Sequence, residues 1–342
     1  MLVGDVFLFL SFIVPVYNTE KYIDECLKSL LNQDIPNTDY EIICINDGSK
    51  DKSLERMNYF KNKYSNIKII DIPNGGVSNA RNLGIENASA DYIWMVDSDD
   101  LVSPNVLSNL KKVVSENNVD IIDFGSFSFR EQLSKTDIEL IEKAKHVPDS
   151  YANDVYVTKS IFRLSFLNEN NIRFNKDIAY SEDSIFKCTC LMKNPKTCII
   201  KKAYYLIRYR QGSATSSQTQ ASLDKKIISY ITATNIFKGF FENCDSKLKT
   251  TTCNLMMSNL WSVLSLLAQI STKQRKVYLR HLKKQGLFPF VRPKECTLTR
   301  SYMTTRVDIV GKIFDKIYIN MHKYWGFALM ILFYRLHKFV NR

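Results

Sequence analysis

A chain of 342 residues that is 45% hydrophobic and 24% charged has ordinary globular composition, which excludes general disorder and leaves room for one large α/β domain plus a smaller one. Its formal charge of +12 implies a polyanionic partner: nucleic acid, an anionic membrane or phosphorylated substrates. The eight cysteines lie mostly in apolar surroundings, where a free thiol acts as a small core residue, and they point to a reducing compartment.

The opening run MLVGDVFLFLSFIVPVYN has no basic segment and no small-residue cleavage site, and Asp5 interrupts it. It therefore predicts a buried first strand, FLSFIVPVY, rather than a secretory signal. TEKYIDECLKSLLNQ follows as a helix, with Thr19 as N-cap and Tyr22, Cys26, Leu27, Leu30 and Leu31 on one face. Further along, YEIICIND is a strand, SLERMNYFKNKY a helix, IKIIDI a strand, SNARNLGIENA a helix entered through Gly75 and Gly76, and DYIWMVD a fourth strand. This alternation predicts an α/β fold, a mostly parallel sheet covered by helices. Each strand runs into polar residues (YN, NDGS, PNGG, DSDD), and in open α/β sheets ligands bind outside the carboxyl ends of the strands. The four clusters are expected to converge on one pocket.

After Tyr209 the stretch RQGSATSSQTQAS is small and polar, a loop or linker, and helical segments such as IISYITATNIFKGFFENC and CNLMMSNLWSVLSLLAQI follow. The expected organisation is a catalytic domain over residues 1–217 and a mainly helical region over 218–342. No window reaches the roughly 18 apolar residues of a membrane-spanning helix.

The densest chemistry lies in IWMVDSDDLVSP, where Asp97, Asp99 and Asp100 crowd together behind a buried run. Such carboxylates suit a hard divalent cation, Mn2+ or Mg2+, which relieves their repulsion; the competing reading is a turn before a helix near Pro104, capped by Ser103. Asp47 ends a strand and can accept hydrogen bonds from a base or ribose, or it can close a local Asx turn at Asp-Gly. Arg81 sits one turn into a helix with adjacent glycines at its start, an arrangement that can meet phosphate. Glu182 and Asp183, in YSEDSIF, either act catalytically or complement the dipole at a helix start. Arg210, where the alternation in IRYRQGSATSS gives way to a loop, can reach phosphates or lie on a surface strand. Neither a Gly-Lys-Ser/Thr phosphate loop nor a Gly-x-Gly-x-x-Gly fingerprint is present, and the triplet CTC at 188–190 with Cys198 has no nearby histidine and lacks the paired spacing of a zinc site.

In order along the chain, IVPVYN, INDGSKDKS, NGGVSNARNLGI, MVDSDD, SEDSIF and YRQGSATSS resemble the family 2 inverting glycosyltransferases of the GT-A fold, over residues 10–217. The resemblance implies a nucleotide-sugar donor, UDP-hexose or UDP-N-acetylhexosamine, held by Pro15, Tyr17, Asn18, Asp47, Arg81, Asp97, Ser98 and Arg210. It implies a Mn2+ or Mg2+ ion on Asp97 and Asp99, and Asp183 beside Glu182 as general base for the acceptor hydroxyl. The acceptor class it implies is a glycan or lipid-linked glycan in cell-surface polysaccharide synthesis. Gln211 and Gly212 stand where several relatives carry histidine or further arginine, a departure in the segment that would contact diphosphate.

Two other classes compete. A nucleotidyltransferase would want a basic phosphate loop at the first strand, and PVYNTEKY has none; a non-catalytic basic protein for nucleic acid or membrane would leave six ordered motifs idle. The expectation is therefore no nucleic-acid partner. Over residues 301–342 seven Lys and Arg face two Asp, interleaved with Tyr324, Trp325, Phe327 and Phe333, a pattern that suits an anionic membrane surface or a terminal helix packed on the body. Attachment at the inner face of the membrane from the cytoplasm is the expected location.

Overall fold

The runs LSFIVPV and YEIICIND are buried on both faces, as strands in the middle of a covered sheet must be. The structure, a computed structural model, describes residues 8–134, 155–210, 220–267 and 269–287 together with 293 and 295. In chain order the first part comprises β1 (Leu10–Val16), α1 (Ile23–Leu31), β2 (Tyr40–Asp47), α2 (Ser53–Lys61), β3 (Ile67–Ile72), α3 (Val77–Asn87), β4 (Tyr92–Met95), β5 (Leu101–Val102), α4 (Leu107–Asn117) and β6 (Ile121–Arg130). It continues through β7 (Ser160–Arg163), α5 (Leu164–Glu169), α6 (Glu182–Leu191) and β8 (Thr197–Tyr209).

The strands form one mixed eight-stranded sheet in the order β3-β2-β1-β4-β7-β6-β8-β5. β3, β2, β1 and β4 run parallel, with Phe12 opposite both Ile42 and Trp94. β7 is antiparallel to β4 and β6, β8 is parallel to β6, and the two-residue β5 returns antiparallel on β8. Successive strand residues face opposite sides, so Phe12, Val14, Cys44 and Trp94 pack beneath α1, α2 and α4, whereas Ile13, Ile43, Ile45 and Met95 pack with α3 and α6. The α3 contact is close: a Cβ at Gly84 would lie 2.2 Å from Ile13 Cγ2.

Two helix starts differ from expectation. Thr19 does not cap α1 with its side chain; its carbonyl accepts the N–H groups of Tyr22 and Ile23 at 2.9 and 3.0 Å, and its hydroxyl instead donates to Ser98 at 3.0 Å. Buried Ile23, not Tyr22, joins Cys26, Leu27 and Leu30 on the inner face. The helix expected near Pro104 begins at Leu107, and Ser103 points away to the carbonyl of Ala203 at 2.9 Å. Its orphan N–H groups find partners from the end of α1 instead, because Gln33 Oε1 accepts from Val106 N at 3.1 Å and Asp34 Oδ1 from Ser108 N at 2.9 Å.

The chain divides into two compact units, residues 1–176 with 182–216 and residues 177–181 with 217–342. The second contains α7 (Gln220–Asn243), α8 (Ser246–Leu267) and α9 (Thr272–Lys284). α7 and α8 form an antiparallel hairpin with Ile227, Ile231, Phe237, Met257, Leu260 and Leu264 buried. α9 opens with a capping box, Ser271 Oγ accepting from Gln274 N at 3.3 Å and Gln274 Oε1 from Ser271 N at 3.4 Å. No described helix is long and apolar enough to cross a membrane. The tail 301–342, together with Gln211, Gly212 and Cys296, lies outside the described residues.

Candidate active site

The strand order reverses between β1 and β4, because the chain runs β1, β2, β3 to one side and then returns to place β4 on the other. Crossover loops diverge at such a point and leave a crevice at the carboxyl ends. Pro15, Tyr17 and Asn18 end or follow β1, Asp47 ends β2, and Asp97 follows β4. Tyr17 is half exposed. Asn18 takes a left-handed φ of 53°, stabilised by Lys50 N donating to its Oδ1 at 2.7 Å and by its own N–H donating to Ser49 Oγ at 3.1 Å.

Asp47 does not close the local Asx turn. Its carboxylate accepts from the N–H groups of Gly75 at 2.6 Å and Gly76 at 2.9 Å and from Asn74 Nδ2 at 3.3 Å. It thereby shapes the loop that starts α3. The local turn belongs to Asn46, whose Oδ1 accepts from Ser49 N at 3.4 Å. Gly48 has φ +69°, and a Cβ there would stand 2.7 Å from Asn74 N, so only glycine lets the two loops approach.

Arg81 is the centre of the site. On the inner side of α3 its side chain is 3% exposed. Nη2 donates to Asp97 Oδ1 at 2.9 Å, and Nη1 to Asp183 Oδ1 at 2.5 Å and Glu182 Oε1 at 3.2 Å. Phe174 lies under the guanidinium at 5.2 Å. Glu182 and Asp183 form the first turn of α6, the placement that the dipole reading expects. Burial works against the charge on Arg81, but Asp183, Asp97 and Glu182 outweigh it and hold the guanidinium firmly protonated.

The other two aspartates are held from β8. Arg210 Nε donates to Asp99 Oδ2 at 2.6 Å with its guanidinium 5.1 Å from the Tyr22 ring. Asp100 is buried, its Oδ2 accepting from Tyr205 OH at 2.8 Å and Oδ1 from Arg208 N at 2.7 Å. Arg208 is buried too, donating to Asp99 O at 2.8 Å, Glu25 Oε2 at 2.7 Å and the Glu131 carbonyl. Ser98 Oγ receives Thr19 and is buried.

The charge needed by the acidic stretch therefore comes partly from within the chain, from three arginines distant in sequence. Among the described residues the supply falls short: Glu25, Asp97, Asp99, Glu182 and Asp183 share Arg81, Arg208 and Arg210, and Asp100 meets only the backbone N–H of Arg208 and the Tyr205 hydroxyl. Burial, with Asp97 and Asp99 adding, pushes Asp100 up to about 8. Burial and the neighbouring Asp183 push Glu182 up to about 8 despite Arg81. Asp183 is likewise raised by burial, with Arg81 opposing and Asp97 adding.

A divalent cation would correct this deficit. Among the described residues no donor reaches Asp97 Oδ2 or Asp99 Oδ1, and no group of three or more His, Cys, Asp or Glu converges to hold a metal by itself. Two carboxylate oxygens beside a crevice suit Mn2+ or Mg2+, which commonly take one or two carboxylates and complete their shell with water and substrate phosphates. The described cysteines are free thiols with no metal cluster among them.

Sequence reasoning missed Glu25, Tyr205 and Arg208. Arg208 carried a legible signal: strand alternation places it on the same side as Arg210, two residues on, and its polar character inside β8 marks a buried charge in need of a partner. Glu25 looked like any acidic residue in a first helical turn.

Residues 11–155 match the model of glycosyl transferase family 2. The glycosyltransferase EpsJ of Bacillus subtilis is 31% identical over 229 residues, which are 64% of this chain and 66% of that protein. The poly(ribitol-phosphate) beta-glucosyltransferase of Bacillus spizizenii is 32% identical over 257 residues, 71% of this chain. TarS of Staphylococcus aureus, a poly(ribitol-phosphate) beta-N-acetylglucosaminyltransferase, is 29% identical over 217 residues, 60% of this chain. The chain spans only 37% of the length of each of these last two proteins.

Among solved structures, TarS 1–349 in complex with UDP-GlcNAc superposes with a TM-score of 0.55 at 21% identity, covering 82% of this chain and 88% of that one. The mannosyltransferase PcManGT from Pyrobaculum calidifontis, in complex with GDP-Man and Mn2+, superposes with a TM-score of 0.54 at 15% identity, covering 94% and 86%. These likenesses establish the fold as GT-A. With the described residues of its motifs gathered at one end of that sheet, the chain belongs to glycosyltransferase family 2.

Proposed function

We propose that the protein is an inverting glycosyltransferase that moves a sugar from a UDP-sugar, a hexose or N-acetylhexosamine, to a hydroxyl of a cell-surface glycan or its lipid-linked precursor. The observation that carries this reading is Arg81, whose single guanidinium joins Asp97 of the acidic stretch to Asp183 of α6 at 2.9 and 2.5 Å. The group that neutralises a departing diphosphate and the group that takes a proton from the acceptor are thereby one side chain apart. Inverting transfer needs that pairing, because attack and departure occur on opposite sides of one anomeric carbon.

Asp183 serves as the base that accepts the acceptor's proton as its oxygen attacks, and its raised pKa matches the task, since a base works best when its pKa approaches the working pH. Glu182 and Arg81 hold it in place. Asp97 and Asp99 would hold Mn2+ or Mg2+, which when bound supplies Lewis-acid neutralisation of the leaving nucleoside diphosphate. Tyr17, half exposed at the end of β1, would stack on the base, and Pro15, Asn18, Asp47 and Ser98 would line the nucleotide. An acceptor such as the poly(ribitol phosphate) named for two of the relatives is anionic, which accords with a formal charge of +12. The basic, aromatic tail 301–342 is suited to keep the enzyme at an anionic inner membrane surface, where unchanged vesicle binding after its deletion would contradict the assignment.

The test is UDP release from a panel of UDP-sugars with Mn2+ or Mg2+, with and without chelator, on the wild type and Asp183→Asn. The expected result is cation-dependent release with at least one donor, with transfer lowered about 10²- to 10⁴-fold in the variant and donor affinity retained. Transfer by Asp183→Asn at the wild-type rate would remove Asp183 from the mechanism.

A further inference from the structure

Three arginines serve the acidic stretch, and they are not equivalent. Arg81 is 3% exposed and bound to three carboxylates. Arg208 is 1% exposed, with its guanidinium committed to the Asp99 carbonyl, the Glu131 carbonyl and Glu25. Removing either from its place would strand several buried polar groups, so both are fixed parts of the fold. Arg210 differs on each count: it is the first residue beyond β8, its side chain is 19% exposed, and among the described residues one ion pair to Asp99 Oδ2 holds it, with the Tyr22 ring as a platform 5.1 Å away.

The partner that Arg210 holds is the aspartate assigned to the cation. Resting on the function proposed above, we propose that Arg210, held on Asp99 Oδ2, is a resident counter-cation of Asp99 that weakens its hold on a divalent ion at the remaining oxygen, and that its guanidinium turns to the diphosphate the ion brings with it. In the donor-free protein Arg210 lowers the repulsion among Asp97, Asp99 and Asp100 and so competes with the metal. With the metal in place the charge of Asp99 is largely neutralised, the pull on Arg210 falls, and a diphosphate oxygen becomes the stronger partner, because guanidinium pairs as well with phosphate as with carboxylate. One residue thus opposes the cation alone and favours the cation together with nucleotide, which makes the two ligands bind as a pair.

This predicts effects of opposite sign from one substitution. Mn2+ binding to the nucleotide-free protein, read from the loss of the free-ion electron paramagnetic resonance signal, is expected to tighten about two- to fivefold in Arg210→Gln, the size expected for losing a partly exposed ion pair. UDP affinity at saturating Mn2+, read by calorimetry, is expected to weaken about tenfold in the same variant. Arg210→Lys, which keeps the charge, should lie between wild type and Arg210→Gln in both. Arg56→Gln removes an exposed arginine paired with Asp24 and controls for net charge; it should leave both affinities near wild type.

The idea is overturned if Arg210→Gln leaves Mn2+ affinity unchanged or weakened, if UDP affinity at saturating Mn2+ does not fall, or if Arg56→Gln tightens Mn2+ as much. A wild type that binds Mn2+ and UDP together while Arg210→Gln shows no sign reversal defeats this inference alone. A wild type that binds no UDP with any divalent ion defeats the proposed function and this inference with it.

Discussion

Replacing Arg81 by methionine keeps the length of the side chain and removes its charge. Asp97, Glu182 and Asp183 would then share a site without the guanidinium that now binds all three. Breaking a buried ion pair by deleting one partner costs about 3–5 kcal/mol, a large part of the roughly 5–15 kcal/mol that holds a domain folded. For a unit of this size each kcal/mol moves the melting temperature by about 2–4 °C, so the variant is expected to melt roughly 6–20 °C lower. The loss has a pH signature. The penalty arises only where the carboxylates are ionised, and burial already raises Glu182 and Asp183 against the opposing pull of Arg81, so without Arg81 both take up protons more readily and the loss is expected to be smaller at pH 6 than at pH 8.5. Urea unfolding of both proteins at the two pH values, followed on the buried Trp94 of β4 with the other two tryptophans replaced by phenylalanine, measures it. A loss under about 1 kcal/mol at pH 8.5, or an equal loss at both pH values, would show that Arg81 is not the counter-ion of this cluster.

The pH dependence of transfer follows from Asp183, which must be ionised to act as base. Burial raises its pKa, so activity is present above that raised value and lost as pH falls through it; the acid limb of the pH–rate profile at saturating cation should lie above the ordinary carboxylate value of about 3.9, and a limb at or below that value would count against the assignment. Gly84→Ala should destabilise by about 1–3 kcal/mol through overpacking against Ile13, reversing the gain of roughly 0.5–1 kcal/mol that alanine brings to an open helix. An increase in the urea midpoint would mean that α3 and β1 have room to spare. Removing divalent ions with chelator should lower the affinity for UDP rather than abolish the fold, since the three arginines still meet part of the charge; circular dichroism and calorimetry on the same sample separate the two.

Much of this molecule could be read along the chain because the information is local. Apolar runs such as IICI and YIWM at strand length, alternating with amphipathic segments, specify buried strands and covering helices through burial alone, and the polar residues at each strand end then fall at one edge of the sheet. Asp97, Asp99 and Asp100 could be singled out because several carboxylates in one short stretch repel and need a reason, and Glu182 and Asp183 through the resemblance carried by SEDSIF. The partners that supply the reason could not. Arg81 reaches Asp183 across 102 positions, Tyr205 reaches Asp100 across 105, and Arg208 reaches Glu25 across 183; sequence spacing carries no record of such contacts, which exist only once crossovers bring β1, β4 and β8 into one sheet. Thr19 and Ser103 show the same limit at small scale. Each has the right chemistry for a helix cap, yet Thr19 turns to Ser98 and Ser103 to Ala203, because a hydroxyl in a packed interior bonds to whatever the tertiary fold sets beside it.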